Sequence, residues 1–173
     1  MKRQQSSPSH RISLLAVLAV GAALVSLAAF AAITHAQPAV GVTATLIGRG
    51  TYPTYNLKTD PQSPIDFKAK TKEPTDVVVQ RHDFAPGGVT GWHQHPGPIF
   101  ITVTQGTLTF YERDDPTCSP HVVTAGNGYV DTGMGHIGRN ETSAPAQDVA
   151  VAIAPVGAPF RTELTPPGPY CNF

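Results

Sequence analysis

Charge is scarce in this chain and cysteine scarcer still. Of its 173 residues only 14% are charged, and twelve Lys and Arg balance twelve Asp and Glu. With no basic stripe along any segment, nucleic acid is not expected as a partner. The two cysteines, Cys118 and Cys171, form no CxxC or other close spacing, so neither marks a zinc-finger site. From Gln37 onward no segment shows a helical apolar stripe, a repeat or a low-complexity tract. What remains after those exclusions is a chain of short strands and turns.

The exception stands at the start. Residues 1–11 carry Lys2, Arg3 and Arg11 and no acid, and residues 12–33 are apolar apart from Ser13 and Ser26. A positive flank followed by an apolar core, ending in the small-residue pattern Thr34-His35-Ala36, reads as a signal peptide cleaved before Gln37. The apolar run also reaches the roughly 20 residues of a spanning helix, so an uncleaved N-terminal membrane anchor is the alternative. A hydrophobic helix is expected in both cases. Both place Gln37 onward outside the cytoplasm, because the positive flank stays inside. The chain divides into residues 1–36 (signal or anchor), 37–75 (first strands and a surface segment), 76–156 (core) and 157–173 (a proline-rich tail). In an oxidising compartment an even cysteine count favours one disulfide, Cys118 to Cys171, tying a loop at 114–120 to the tail.

Seventeen prolines and sixteen glycines punctuate runs rich in Val, Thr, Ile, Phe and Tyr. Roughly nine or ten short strands are expected, the pattern of an all-β sandwich or barrel. The first covers about residues 38–50. Residues 65–72 alternate Ile65, Phe67 and Ala69 with Asp66, Lys68 and Lys70, as a half-buried strand does. Residues 76–84 form a strand stopped at Pro86-Gly87-Gly88. Gln105-Gly106 predicts a tight hairpin between strands 99–104 and 107–112. Further short strands fall at 90–95, 121–124, 129–131 and 147–156.

Within the strand 90–95, His93 and His95 sit two apart. Side chains alternate in a strand, so both project from one face, about 6–7 Å apart. Neutral imidazole suits zinc, copper, iron or nickel. A third histidine, His136, follows the crowded glycines of Gly133-Met134-Gly135, which permit a sharp turn into an interior.

The two clusters together resemble the cupin superfamily. Gly87, five residues, His93-Gln94-His95 and later Gly106 are similar to its first motif. Gly133, two residues, His136, three residues and Asn140 are similar to its second. The resemblance covers about residues 76–156 and implies a jelly-roll, or double-stranded β-helix, barrel with a metal in its mouth. It implies that His93, His95 and His136 bind one divalent transition metal (Fe, Mn, Ni, Zn or Cu). Two departures stand out. The glutamate that usually follows the second histidine after three or four residues is replaced by Ile99 and Phe100, and the second-motif proline by Asp131.

Three neutral imidazoles leave a divalent charge near +2, so the site should favour a small anionic, chelating ligand and keep coordination positions open. Two functions follow: a three-histidine oxidoreductase of dioxygenase type, or a non-catalytic module for a small molecule or metal, with a degenerate metal-free cupin as its limit. A cupin isomerase or epimerase is disfavoured, since no carboxylate lies beside the histidines. His82, between Arg81 and Asp83, is expected at the surface or an edge, with Arg81 or His82 lining the pocket and meeting substrate as the alternative; His121 is expected to be exposed. Trp92, beside His93, should pack on the opposite face of the strand, and Phe110 and Tyr111 belong to strand faces. Homodimerisation through an edge strand is open, though Lys68, Lys70 and Lys72 weigh against residues 65–72 as that edge.

Overall fold

The computed structural model describes residues 36–171 and Phe173. The expected N-terminal hydrophobic helix, with its cleavage or anchoring, lies outside those residues. Among the described residues no helix is long and apolar enough to cross a membrane.

The strands are β1 (Val40–Tyr52), β2 (Asn56–Lys58), β3 (Lys68–Lys70), β4 (Thr75–Val89), β5 (His93–Gln94), β6 (Ile99–Gln105), β7 (Thr107–Glu112), β8 (His121–Thr124), β9 (Gly128–Asp131), β10 (His136–Arg139), β11 (Ala146–Pro155) and β12 (Thr162–Glu163). A 3-10 turn spans Pro169–Cys171. One row of antiparallel strands runs β1-β4-β11-β6-β9, and another runs β12-β5-β10-β7-β8. The rows join where the far end of β4 reaches β10, Val89 against Arg139. The result is an all-β jelly-roll barrel, as expected.

Three local expectations are corrected. β6 and β7 do not form a hairpin at Gln105-Gly106. β6 pairs with β11 and β9, while β7 pairs with β10 and β8, so the chain turns a corner there from one row to the other. A tight-turn dipeptide signals a reversal of direction; it does not specify which strands pair. β4 does not stop at Pro86 but runs on to Val89, its end carried by hydrogen bonds of Gly87 and Gly88 to Asn140. The alternating stretch 65–72 is no half-buried strand of the barrel: only Lys68–Lys70 pairs, with β2, in a separate two-stranded sheet. Ile65 and Phe67 are exposed.

Alternation explains the interior. β6 turns Ile99, Ile101 and Val103 inward and Phe100, Thr102 and Thr104 outward. They pack with Phe84, Leu108, Phe110, Val123 and Tyr129 as the main core. β11 reverses the usual choice, burying Ala146, Asp148, Ala150, Ala152 and Ala154 and turning Val149, Val151 and Ile153 outward. Small side chains on the inner face leave space where valines would fill it. A second core lies behind β5, β7 and β10. Trp92, Tyr111 and Ile137, each next in sequence to an inward residue, pack with Cys171, Cys118 and Leu164. Trp92 thus takes the outer face of its strand as expected and is fully buried in this cluster, to which the C-terminal tail contributes Cys171. Cys118 and Cys171 lie at disulfide distance, their Cα atoms 5.3 Å apart.

Candidate metal centre

The three histidines arrive from two directions. His136 opens β10 directly opposite His93 on β5, and His95 follows β5 immediately. The turn before His136 depends on glycine. Gly133 has φ +103, and a Cβ there would stand 2.8 Å from the His95 carbonyl oxygen. At Gly135, φ is +105 and a Cβ would meet the Leu164 side chain at 2.8 Å. L-residues pay a steric penalty at such φ, and here the space is also taken.

All three rings are buried, with residue exposures of 4% for His93, 6% for His95 and 2% for His136. Each Nδ1 is engaged outward. His93 Nδ1 donates to the Gly91 carbonyl at 2.9 Å, and His95 Nδ1 to the Phe160 carbonyl at 2.7 Å. His136 Nδ1 donates to Asp131 Oδ2 at 2.7 Å. Such bonds fix the tautomer and leave Nε2 as the free donor atom, the arrangement of metal-ligating histidines. One ring nitrogen from each lies within 4.8 Å of the others. His95 Nε2 is buried and has no hydrogen-bond partner. An orphaned buried nitrogen of this kind costs about 1–3 kcal/mol unless something binds it. Burial, with neighbouring His136 adding repulsion, holds His93 well below the ordinary histidine range and His95 at about 4. Both are neutral near pH 7, the form that binds a metal.

Asp131 proves to be the support of His136. Its Oδ1 accepts the Gly133 N–H at 2.8 Å while Oδ2 takes the imidazole. Burial pushes its carboxyl upward, but the His136 hydrogen bond and charge outweigh that and leave it below the usual range. Ile99, at the position of the family's glutamate, is buried and faces the cavity; Phe100 points outward. The donor set is three imidazoles and no carboxylate, which fits a divalent transition metal.

The cavity beside the histidines is about 30 Å³, with Ile99, Ile101, Phe110 and Phe160 among its walls. Its volume admits a ligand of only a few atoms, since a single water needs roughly 10–15 Å³ by this measure. Of the two readings of His82 the structure supports the pocket one: half-buried, it lines this cavity, and its Nδ1 meets Asp148 Oδ1 at 2.7 Å, while Arg81 does not line it. The signal was its parity. Val78, Gln80, His82 and Phe84 alternate on one face of β4, and Val78 and Phe84 are buried. Arg81 and Asp83 pair with each other on the other face, while His121 is exposed as expected. Asn140, formally within a glycosylation sequon, is buried with both amide hydrogens donated to the carbonyls of Ala85 and Ala144.

Comparison with known proteins agrees with this architecture. Residues 80–151 match the family model described as Cupin domain. Among solved structures, the chain is similar to recombinant oxalate oxidase in complex with glycolate, at 28% identity and TM-score 0.42, covering 50% of this chain and 45% of that one. It is similar to a cupin domain from Bordetella pertussis, at 20% identity and TM-score 0.43, covering 69% of this chain and 97% of that one. A Klebsiella pneumoniae protein with a double-stranded β-helix domain shares 22% identity at TM-score 0.43, covering 50% of this chain and 73% of that one. The chain thus spans less than half the length of the oxalate oxidase chain. No curated protein matches it. The matched segment contains both histidine clusters on a jelly-roll barrel, and residues 80–151 form a domain of the cupin superfamily.

Proposed function

We propose that this cupin holds one divalent transition metal through Nε2 of His93, His95 and His136 and presents its open positions to a small anionic ligand. The observation that carries this is the outward engagement of all three Nδ1 atoms, which turns three lone pairs toward one point. Bound there, such an ion supplies Lewis-acid or redox chemistry at the positions the protein leaves free. The chain's own contribution is to fix the rings, exclude bulk water with Ile99, Ile101, Phe110 and Phe160, and limit the ligand to a few atoms. Oxygen chemistry of dioxygenase type is the reaction we favour, supported by the three-imidazole donor set and the apolar walls of Ile99, Ile101, Phe110 and Phe160 beside it. A binding module without turnover is the second reading, supported by the tightness of the cavity. We further propose that the domain works outside the cytoplasm, supported by the cysteine pair at disulfide distance.

Elemental analysis of the purified chain tests the first proposal. One metal ion per chain is expected, lost in His93→Ala and His136→Ala. A metal-free protein that takes up no zinc, iron, manganese, nickel or copper on reconstitution refutes it. Oxygen uptake by the iron-loaded protein with small hydroxy and keto acids separates enzyme from module.

A further inference from the structure

One half-buried ionisable pair in the cavity takes no part in holding the three histidines. His82 on β4 and Asp148 on β11 are direct cross-strand partners. Asp148 is only 2% exposed and sits in the inward row with Ala146, Ala150, Ala152 and Ala154. A carboxylate in a row of alanines bears a desolvation cost of several kcal/mol unless it is well paired. Packing does not call for it; its one side-chain partner is His82 Nδ1, at 2.7 Å.

The other ring nitrogen, Nε2, lies 3.2 Å from the side-chain amide of Gln80. A primary amide carries an acceptor at one end and donors at the other. Turned one way, Gln80 accepts from Nε2–H of a protonated ring. Turned the other, it donates to the lone pair of a neutral one. Asp148 meanwhile balances the charge of the protonated ring, so both states of His82 have partners. The remaining charges nearby are committed elsewhere. Arg161 is forked onto Glu163, at 2.5 and 2.8 Å, and also donates to the Thr90 carbonyl. Arg81 pairs with Asp83 on the outer face.

His82 also stands at a boundary. It lines the cavity together with His93, His95 and His136. With Gln80, Thr90, Phe160 and Arg161 it lines an open surface groove as well. A proton taken from the cavity therefore has a way to water.

We propose that His82 is the acid–base group of this site, taking up the proton that a small protic chelator, such as a hydroxy acid or a hydroxamic acid, loses on binding. Asp148 and Gln80 are its positioning residues. The proposal rests on the metal-binding reading given above. In the step, the ligand O–H bond breaks, its electron pair stays on the ligand oxygen as an anion, and the proton bonds to His82 Nε2 in place of the Gln80 amide hydrogen, with Gln80 turning its oxygen to accept from the new N–H. Nothing is oxidised or reduced, and the new imidazolium charge faces Asp148.

The test uses the zinc-loaded full chain and acetohydroxamic acid, a weak acid of few atoms. Calorimetric titration in two buffers of different ionisation enthalpy counts the protons released per ligand bound. Wild type should release clearly fewer than His82→Gln, the difference approaching one proton, with zinc content unchanged. Histidine-labelled wild type gives a second measurement that needs no folded variant: the His82 ring nitrogens should move to imidazolium shifts on ligand addition. Equal proton release with unmoved nitrogen signals overturns the proposal while leaving metal binding intact. Failure of acetohydroxamate to bind the zinc-loaded protein also overturns it alone. Failure to load zinc or any other divalent ion overturns both.

Discussion

Replacing Asp131 by Asn isolates the support of the metal centre from its ligands. The two side chains are nearly the same size, so the buried space at Asp131 and His136, with side-chain exposures of 1% and 2%, is preserved. The hydrogen bonding is not. Asp131 receives two N–H donors, from Gly133 on Oδ1 and from His136 on Oδ2. An Asn can accept at one end only; its NH₂ must face the other donor, or His136 must shift its proton to Nε2 and lose the lone pair aimed at the metal. Each outcome loses a charge-assisted hydrogen bond of about 1.5–3 kcal/mol, part of it charged to metal binding. Loss of such an outer partner lowers metal affinity by roughly 10–100-fold, or about 1.4–2.8 kcal/mol. His93 and His95 lean on backbone carbonyls, so Asp131 is the one orienting group that a side-chain substitution reaches. Competition with a chromophoric zinc chelator at pH 7.5 measures the effect, with thermal unfolding of the metal-free variant as the control for folding. A dissociation constant within threefold of wild type refutes the reasoning.

Two further outcomes concern stability. The folded-state values of His93 and His95 lie below their ordinary ones, so the unfolded chain binds more protons between about pH 6.5 and 4 and stability falls as pH drops through that window. His95 alone contributes on the order of 3 kcal/mol across it; melting curves of the metal-free protein from pH 7 to 4.5 should show the loss, shallower in His95→Gln, and an unchanged slope counts against the burial argument. Reducing the Cys118–Cys171 pair opens a 53-residue separation, worth about 4 kcal/mol in the loop-entropy model. Because Cys171 packs on Trp92, the chain's single tryptophan, reduction should also red-shift its fluorescence; a blue, unshifted spectrum would show that the tail holds without the bridge.

Much of the site was legible because alternation is local. His93 against Trp92, Phe110 against Tyr111 and His136 against Ile137 each place one residue in the cavity and its neighbour in the second core, and period 2 alone says so. His82 follows the same rule, but two charged neighbours made its face look solvated. Arg81 and Asp83 occupy the outer face, and their charge has no bearing on the inner one. Asp148 carried a similar signal, a carboxylate in phase with alanines. Strand pairing was less legible. A Gly-containing corner at residue 106 has the same local chemistry as a hairpin, and only contacts distant in sequence, β6 with β11 and β7 with β10, distinguish them. The stretch 65–72 shows the converse: its alternation is present, yet no barrel strand offers it a partner.

The absent glutamate changes the site less in charge than in access. Taken alone, the sequence leaves three neutral imidazoles and an uncompensated divalent ion. The structure returns one negative charge through Asp131, placed behind His136 and away from the cavity. A carboxylate there strengthens His136 as a ligand and lowers the local charge, yet it occupies no coordination position. The face it would have filled is left to Ile99, an apolar wall that cannot compete with an incoming ligand. The carboxylate that does line the cavity, Asp148, is committed to His82. With a divalent ion bound as proposed, residual positive charge would meet the cavity on its open side, where a singly charged chelator would neutralise it. A neutral ligand would have to yield a proton first, and His82 is the base beside it.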